Sequence, residues 1–325
     1  MSLLKKTGRF FKSLGLLFIA AGKGFSEDKV TKLSASLAYY TIFSLTPLLL
    51  IVITSASLFF GDKLDPDTAL FAEINDLIGE PATRQLQSFV INANLSGKST
   101  FGLIIGLVTL VVGATAIFIE IQDSINYIWK VKAVPKRGWK KMIVNRLLSF
   151  SLIISMGFLL LVSLIVNSII VALGARVEEY IPQVTSLAID LVTRAVTLAV
   201  VTGIFTIIFK VLPDVVMRLK TAMIGALFTA VLFLIGQFLI GIYIEKGNPG
   251  SPFGAAGSII IILLWIYYTA IILYFGAEFT QVYAEKYDGG IKPSKYAVHT
   301  KIVVVEKEVD VLPAQHPEET KATID

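Results

Sequence analysis

The 325 residues are 55% hydrophobic and only 16% charged, with a mean hydropathy of +0.75. Soluble domains carry about 25% charged residues, so this chain has too little polar surface to cover a body in water. A net charge of +5 would suit a nucleic-acid partner in a soluble protein, but here the charges are placed as a membrane requires, and the absence of Cys removes disulfide and thiol chemistry.

Residues 1–34 form a basic N-terminal segment. Within it, Gly8–Gly24 carries the apolar run Leu14–Ala21 behind Lys5, Lys6 and Arg9. Lys12 and Gly15 interrupt the run and no small-residue cleavage site follows, so a helix lying in the membrane interface is expected rather than a signal peptide. A bilayer core takes about 20 apolar residues per helix. Six segments reach that length: Ala35–Phe60, Phe101–Ile119, Leu147–Leu173, Leu187–Phe209, Ala222–Ile244 and Ala255–Gly276. Continuous Leu, Ile, Val and Phe without period-two alternation make them helices rather than barrel strands. The loop Gly61–Thr100 has one apolar helical face (Leu70, Ile74, Leu77, Ile78) and reads either as a cap on the outer mouth or as a solvated loop. Residues 286–325 are polar, with a short Lys301–Val311 alternation, and are expected to form a partly disordered cytoplasmic tail.

Lys and Arg fix the expected orientation. They gather before span one, between spans two and three (Lys130 to Arg146), between four and five (Lys210, Arg218, Lys220) and after span six. The opposite side holds only Lys63, Arg84, Lys98, Arg176 and Lys246. Both ends are therefore expected in the cytoplasm. The whole is an all-α integral membrane protein of six transmembrane helices, with residues 35–285 as the membrane domain.

Three stretches carry a family pattern. Ser34–Leu50 reads SASLAYYTIFSLTPLLL, Ile121–Trp129 reads IQDSINYIW, and Ser251–Tyr283 reads SPFGAAGSIIIILLWIYYTAIILYFGAEFTQVY. Leu212-Pro213-Asp214 and Gly225-Ala226-Leu227 fit between them. This chain resembles the YihY/BrkB family of bacterial inner-membrane proteins, once mislabelled as ribonuclease BN, over roughly residues 29–286. Where that family has a Tyr-Gly-Ser turn before span six, this chain has Ser251-Pro252-Phe253-Gly254-Ala255. The resemblance implies six helices in the inner membrane, with links to envelope integrity and lipid transport.

The expected topology brings the polar ends of spans one, two and six to one depth. Ser36, Tyr40, Ser44 and Pro47 share one face of span one; Glu120, Asp123 and Tyr127 share a face leaving span two, with Gln122, Asn126 and Trp129 beside it; Tyr267, Tyr274, Glu278, Gln281 and Glu285 line span six. Charges facing lipid cost about 2.5–3.5 kcal/mol at a helix centre. Two readings stand open. In one, Glu120, Asp123 and Glu278 wall a polar cavity, with Arg146, Lys210 and Arg218 as partners. In the other, the same residues anchor the interface and hydrogen-bond between helices. Asp190 and Arg194, four apart in span four, form either an ion pair or a contact for an anionic headgroup. Trp129, Trp139 and Tyr283 are expected at the interface. Gly102 and Gly106, and Gly225, Gly236 and Gly241, mark close packing or a homo-oligomer face.

No P-loop, zincin pair or Gly-x-Ser-x-Gly elbow is present, and His299 and His316 lie in the tail. No enzyme, cofactor, metal or nucleic-acid partner is expected; membrane lipids are. Function divides between transport or flipping of a lipid or amphipathic solute and a non-transporting envelope scaffold.

Overall fold

The computed structural model describes residues 2–44, 100–134, 182–247 and 249–301, with isolated positions between 75 and 87. Span three, the second part of span one with Pro47, Arg146, Trp139 and residues 302–325 lie outside the described residues. So do the side chains of Asp190, Gly102 and Gly106, although their helices are described.

The described chain is mostly helical. Helix α1 is Ser2–Glu27, α2 is described over residues 30–44, α3 is Thr100–Ile128, α4 is Pro182–Val211, α5 is Leu219–Gly247 and α6 is Gly257–Tyr287, entered through a 3-10 turn at Ser251–Ala256. Three of these contain stretches long and apolar enough to cross a membrane: Leu191–Val211, Leu219–Gly247 and Ile259–Tyr287.

Helix α5 illustrates how a membrane bundle sorts its residues. The first half of its buried side is small, with Ala222, Gly225, Ala226, Thr229 and Ala230, before Phe233, Ile240 and Ile244 fill the second. Its exposed side is large: Met223, Leu227, Val231, Ile235, Phe238 and Leu239. Lipid solvates Leu as well as a protein core does, so helices associate by close backbone approach at small residues. The α5–α6 contact shows this reciprocally. A Cβ on Gly225 would collide with Thr280, and one on Gly276 would collide with Thr229. Each threonine donates its hydroxyl to the carbonyl four residues earlier, Thr229 to Gly225 at 2.7 Å and Thr280 to Gly276 at 2.6 Å. Neither of these two hydroxyls is left unmet in the apolar seam. Gly236 likewise receives the Tyr268 hydroxyl, whereas nothing lies within 4 Å of a Cβ at Gly241. Gly225 and Gly236 are thus occupied within the chain.

The core continues as an aromatic series across four helices. Trp129 lies 6.3 Å from Phe209, Phe209 is 6.3 Å from Phe205, Phe205 is 6.0 Å from Phe233, and Phe233 is 6.2 Å from Trp265. Trp129 is buried and donates its indole N–H to the Ala277 carbonyl at 3.0 Å. The interface position expected for Trp129 is therefore corrected: it is a core residue joining α3 to α6. Helix α3 also runs nine residues past the expected end of span two, because Ile121, Ile125 and Ile128 keep burying one face while its polar residues take the other.

Helix α1 lies antiparallel along the second half of α6. Leu17 and Ala21 pack on Phe279, and Phe18 and Phe25 meet the Phe275 ring edge-on at 5.2 and 5.9 Å. Ser13 bonds the Tyr287 hydroxyl and accepts from Lys286 at 2.7 Å. Leu16, Phe18 and Ile19 remain exposed.

Two antiparallel clasps close the end of the bundle where α3, α4 and α6 stop and α2 and α5 start. Strand β1 (Val131–Ala133) pairs with β4 (Ala297–His299), and β2 (Val215–Val216) pairs with β3 (Lys292–Pro293). The first part of the expected disordered tail is thus ordered as far as Lys301. The cause is backbone pairing with two loops: Thr300 N–H also donates to Lys130 O at 2.8 Å, and Ser294 N–H to Asp214 O at 2.9 Å.

Candidate functional site

The α1–α2 joint is built by two residues. Asp28 N–H still bonds Gly24 O at 2.8 Å, and Lys29 then takes φ 52°, a left-handed conformation that breaks the helix. The turn leaves Asp28 6% exposed, facing inward. Lys130 plays a matching part at the end of α3. It adopts φ 55° where a helix usually ends on Gly, and its ammonium pairs with Asp28 Oδ1. Keeping a lysine where Gly would relax the backbone ties the residue to its side chain.

Glu278, on α6, completes the group. It is 3% exposed, and Asp28, Lys130 and Glu27 are the charged groups that face it. Gly24 closes over it: a Cβ there would overlap Glu278 Oε2. The other oxygen, Oε1, is buried and meets no hydrogen-bond donor among the described residues. Among the described residues, two buried carboxyls therefore stand against one ammonium. A buried polar atom without a partner costs about 1–3 kcal/mol, and more if charged.

A second polar knot sits beside it. Asn126 donates Nδ2–H to Asp214 Oδ2 at 2.9 Å and accepts the Asp214 backbone N–H at 2.9 Å on its own Oδ1. Gln122 adds a bond to Asp214 Oδ2 at 3.0 Å. The knot fixes the Leu212-Pro213-Asp214 turn to α3.

Other expected residues disperse. Glu120 lies about 15 Å along α3 from Lys130, at 1.5 Å per residue, near Tyr274; the carboxyl that faces Glu278 is Asp28. Tyr274 is fully buried with its hydroxyl toward Ser124, short of hydrogen-bond geometry. Ser44 packs on Gly113 and bonds the Tyr40 carbonyl at 2.9 Å, while Ser36 is half-buried and Tyr40 exposed. Asp123 is exposed; Gln281 is half-buried and donates to Glu285 at 3.2 Å. Arg194 is exposed on α4. Of the expected basic partners, Lys210 binds Met217 O and Arg218 pairs with Asp288 at 2.5 Å, while Arg146 lies outside the described residues; among these, Lys130 is the cation at the carboxyls.

Asp28, Gly24 and Lys130 were not singled out as site residues from sequence. The available signal was Asp28 itself, an acid inside a run of Lys23, Lys29 and Lys32 where the membrane favours cations.

Farther along α6, an apolar groove of about 240 Å³ opens between α2 and α6, lined by Ala35, Ala38, Ile260, Leu263, Leu264 and Tyr267. Tyr267 and Glu278 are eleven residues apart, three turns, and so share a face.

Apolar-faced helices joined by small-residue seams, with their charges gathered at one end, define a multi-pass membrane protein, and its place is the bacterial inner membrane. The chain belongs to the Virulence factor BrkB family, whose model matches residues 21–299. It is similar to a UPF0761 membrane protein of Pseudomonas paraeruginosa, 30% identical over 265 residues, covering 78% of this chain and 59% of the relative. It is also similar to UPF0761 membrane proteins of Alteromonas mediterranea (26% identical; 81% and 85% covered) and Tolumonas auensis (27% identical; 80% and 82% covered). The chain thus spans about three-fifths of the length of its Pseudomonas relatives. No solved structure matches it.

Proposed function

We propose that this protein moves a lipid or amphipathic solute across the inner membrane, through a six-helix bundle with both ends in the cytoplasm. The observation that carries the reading is Glu278: a glutamate 3% exposed on a membrane helix, with an oxygen that meets no donor. Intramembrane ionisable groups are costly to keep and mark substrate or ion paths by default. The apolar groove supports the same reading. It lies on the Glu278 face of α6, about 16 Å deeper, at 1.5 Å per residue. A polar end and an apolar slot on one face match the two ends of an amphipath. The proposal assigns no catalytic chemistry, no cofactor and no nucleic-acid partner; lipids are its partners.

A scaffold is the second reading, and the reciprocal Gly225–Thr280 and Gly276–Thr229 seam favours it, because tight packing serves rigidity. Reconstitution separates the two. Purified protein in vesicles with fluorescent lipids should accelerate movement between leaflets, and Glu278→Gln should reduce the rate at least tenfold with the fold intact. Movement no faster than in empty vesicles, for a range of headgroups, would leave the scaffold reading.

A further inference from the structure

We propose that Asp28 and Glu278 together hold one exchangeable proton, in a site roofed by the backbone at Gly24 and flanked by Lys130. This deepens the transport reading and rests on it only for the use made of the proton.

From α1, Asp28 and Glu27 face Glu278; from the end of α3, Lys130 does. Glu27 is largely solvated, its side chain 65% exposed, and sits beside Lys23. Among the described residues that leaves two buried carboxyls and one ammonium, and the ammonium is engaged by Asp28 Oδ1. An ionised Glu278 would be a buried charge whose Oε1 meets no donor. A proton removes that charge and supplies the missing donor, so that one carboxylic acid and one carboxylate share a hydrogen bond.

Geometry selects a proton over a larger cation. The α1 backbone at Gly24 sits so close to Glu278 Oε2 that a methyl group would not fit. A hard metal ion would need about six oxygen ligands, or waters in their place. The site also has an opening mechanism in its own construction. Asp28 is held by the left-handed turn at Lys29, Lys130 by the left-handed turn ending α3, and Glu278 by α6. Loss of the proton leaves two carboxylates facing each other beside one ammonium, a repulsion that weakens the α1–α6 contact at this point. The proton leaves from the shared hydrogen bond to water at the clasped end of the bundle.

The test is infrared spectroscopy of the full-length protein in lipid nanodiscs across a pH titration. The wild type should show a protonated-carboxyl stretch that shifts in D2O and disappears as pH rises. Glu278→Gln should abolish it. Asp28→Asn and Lys130→Met should each displace its titration, so two further variants carry the test if Glu278→Gln does not fold. Identical spectra for folded wild type and Glu278→Gln at every pH would overturn the site, as would titrations of Asp28→Asn and Lys130→Met that coincide with wild type. Loss of the band on adding Na⁺ at fixed pH would also overturn it, in favour of a metal ion. A band without lipid movement removes the transport reading and keeps the proton site; movement without a band does the reverse.

Discussion

Asn126 uses both ends of its amide on one residue, Asp214, 88 positions away in sequence. Removing it strands the Asp214 backbone N–H, worth about 1–3 kcal/mol when buried without a partner, while Asp214 Oδ2 keeps its bond from Gln122. Asn126→Ala should therefore destabilise the protein by about 1–3 kcal/mol, one such loss, read as a lower melting temperature in detergent. Asn126→Asp should be at least as damaging, since it faces Asp214 with a like charge. A melting temperature unchanged in both would show that the knot is not structural. The amino-acid sequence places Asn126 near the membrane boundary and marks it as too polar for lipid. It cannot display Asp214, because the pairing exists only once α3 and the α4–α5 turn are adjacent. The same holds for Asp28: its oddity among lysines is visible in the chain, but its meeting with Glu278 follows from α1 folding back along α6.

At the scale of elements, the α5–α6 seam makes the sharpest claim. Gly276→Ala pushes a methyl into Thr229, and overpacking of this kind costs about 1–3 kcal/mol. Thr229→Ala removes the obstacle. The double variant should then be more stable than Gly276→Ala alone, a coupling visible in thermal unfolding. Strictly additive losses would mean that the helices do not meet at that pair. Glycines 225 and 236 are legible as packing points from sequence, and so are the helices themselves, through long apolar runs; Gly276 reads only as the end of a span, and Gly241 reads as a packing point yet meets nothing within 4 Å. The helix ends are less legible. Residues 120–128 read as a boundary because they carry Glu120, Asp123 and Asn126, yet Ile121, Ile125 and Ile128 keep the helix going. A hydropathy window averages the two faces and so stops too early.

For the molecule as a whole, the proposed orientation is open to a direct check, because the chain has no Cys of its own. Single Cys at Lys98 or Lys246 should react with an impermeant thiol reagent added outside intact cells, while Cys at Lys136 or Lys295 should not. Labelling at Lys136 and silence at Lys246 would invert the bundle. Membrane character was legible from composition alone, since 55% hydrophobic residues leave little else. The ordered stretch 288–301 was not legible, because its partners, Val131–Ala133 and Val215–Val216, are short strands in basic loops. Charge there reads as membrane orientation and masks the backbone pairing beneath it.

Those two clasps impose an order on assembly. Residues 292–299 are synthesised after every helix described above, yet they pair with segments made roughly 80 and 170 residues earlier. During translation the ends of α3 and α4 must wait with open backbone edges until α6 has been inserted and the last strands arrive. Closure of the clasps is thus a signal of completion. A chain halted before residue 292 would carry its membrane helices but expose Val131–Ala133 and Val215–Val216, giving proteases of the quality-control system a cut site that the finished protein hides.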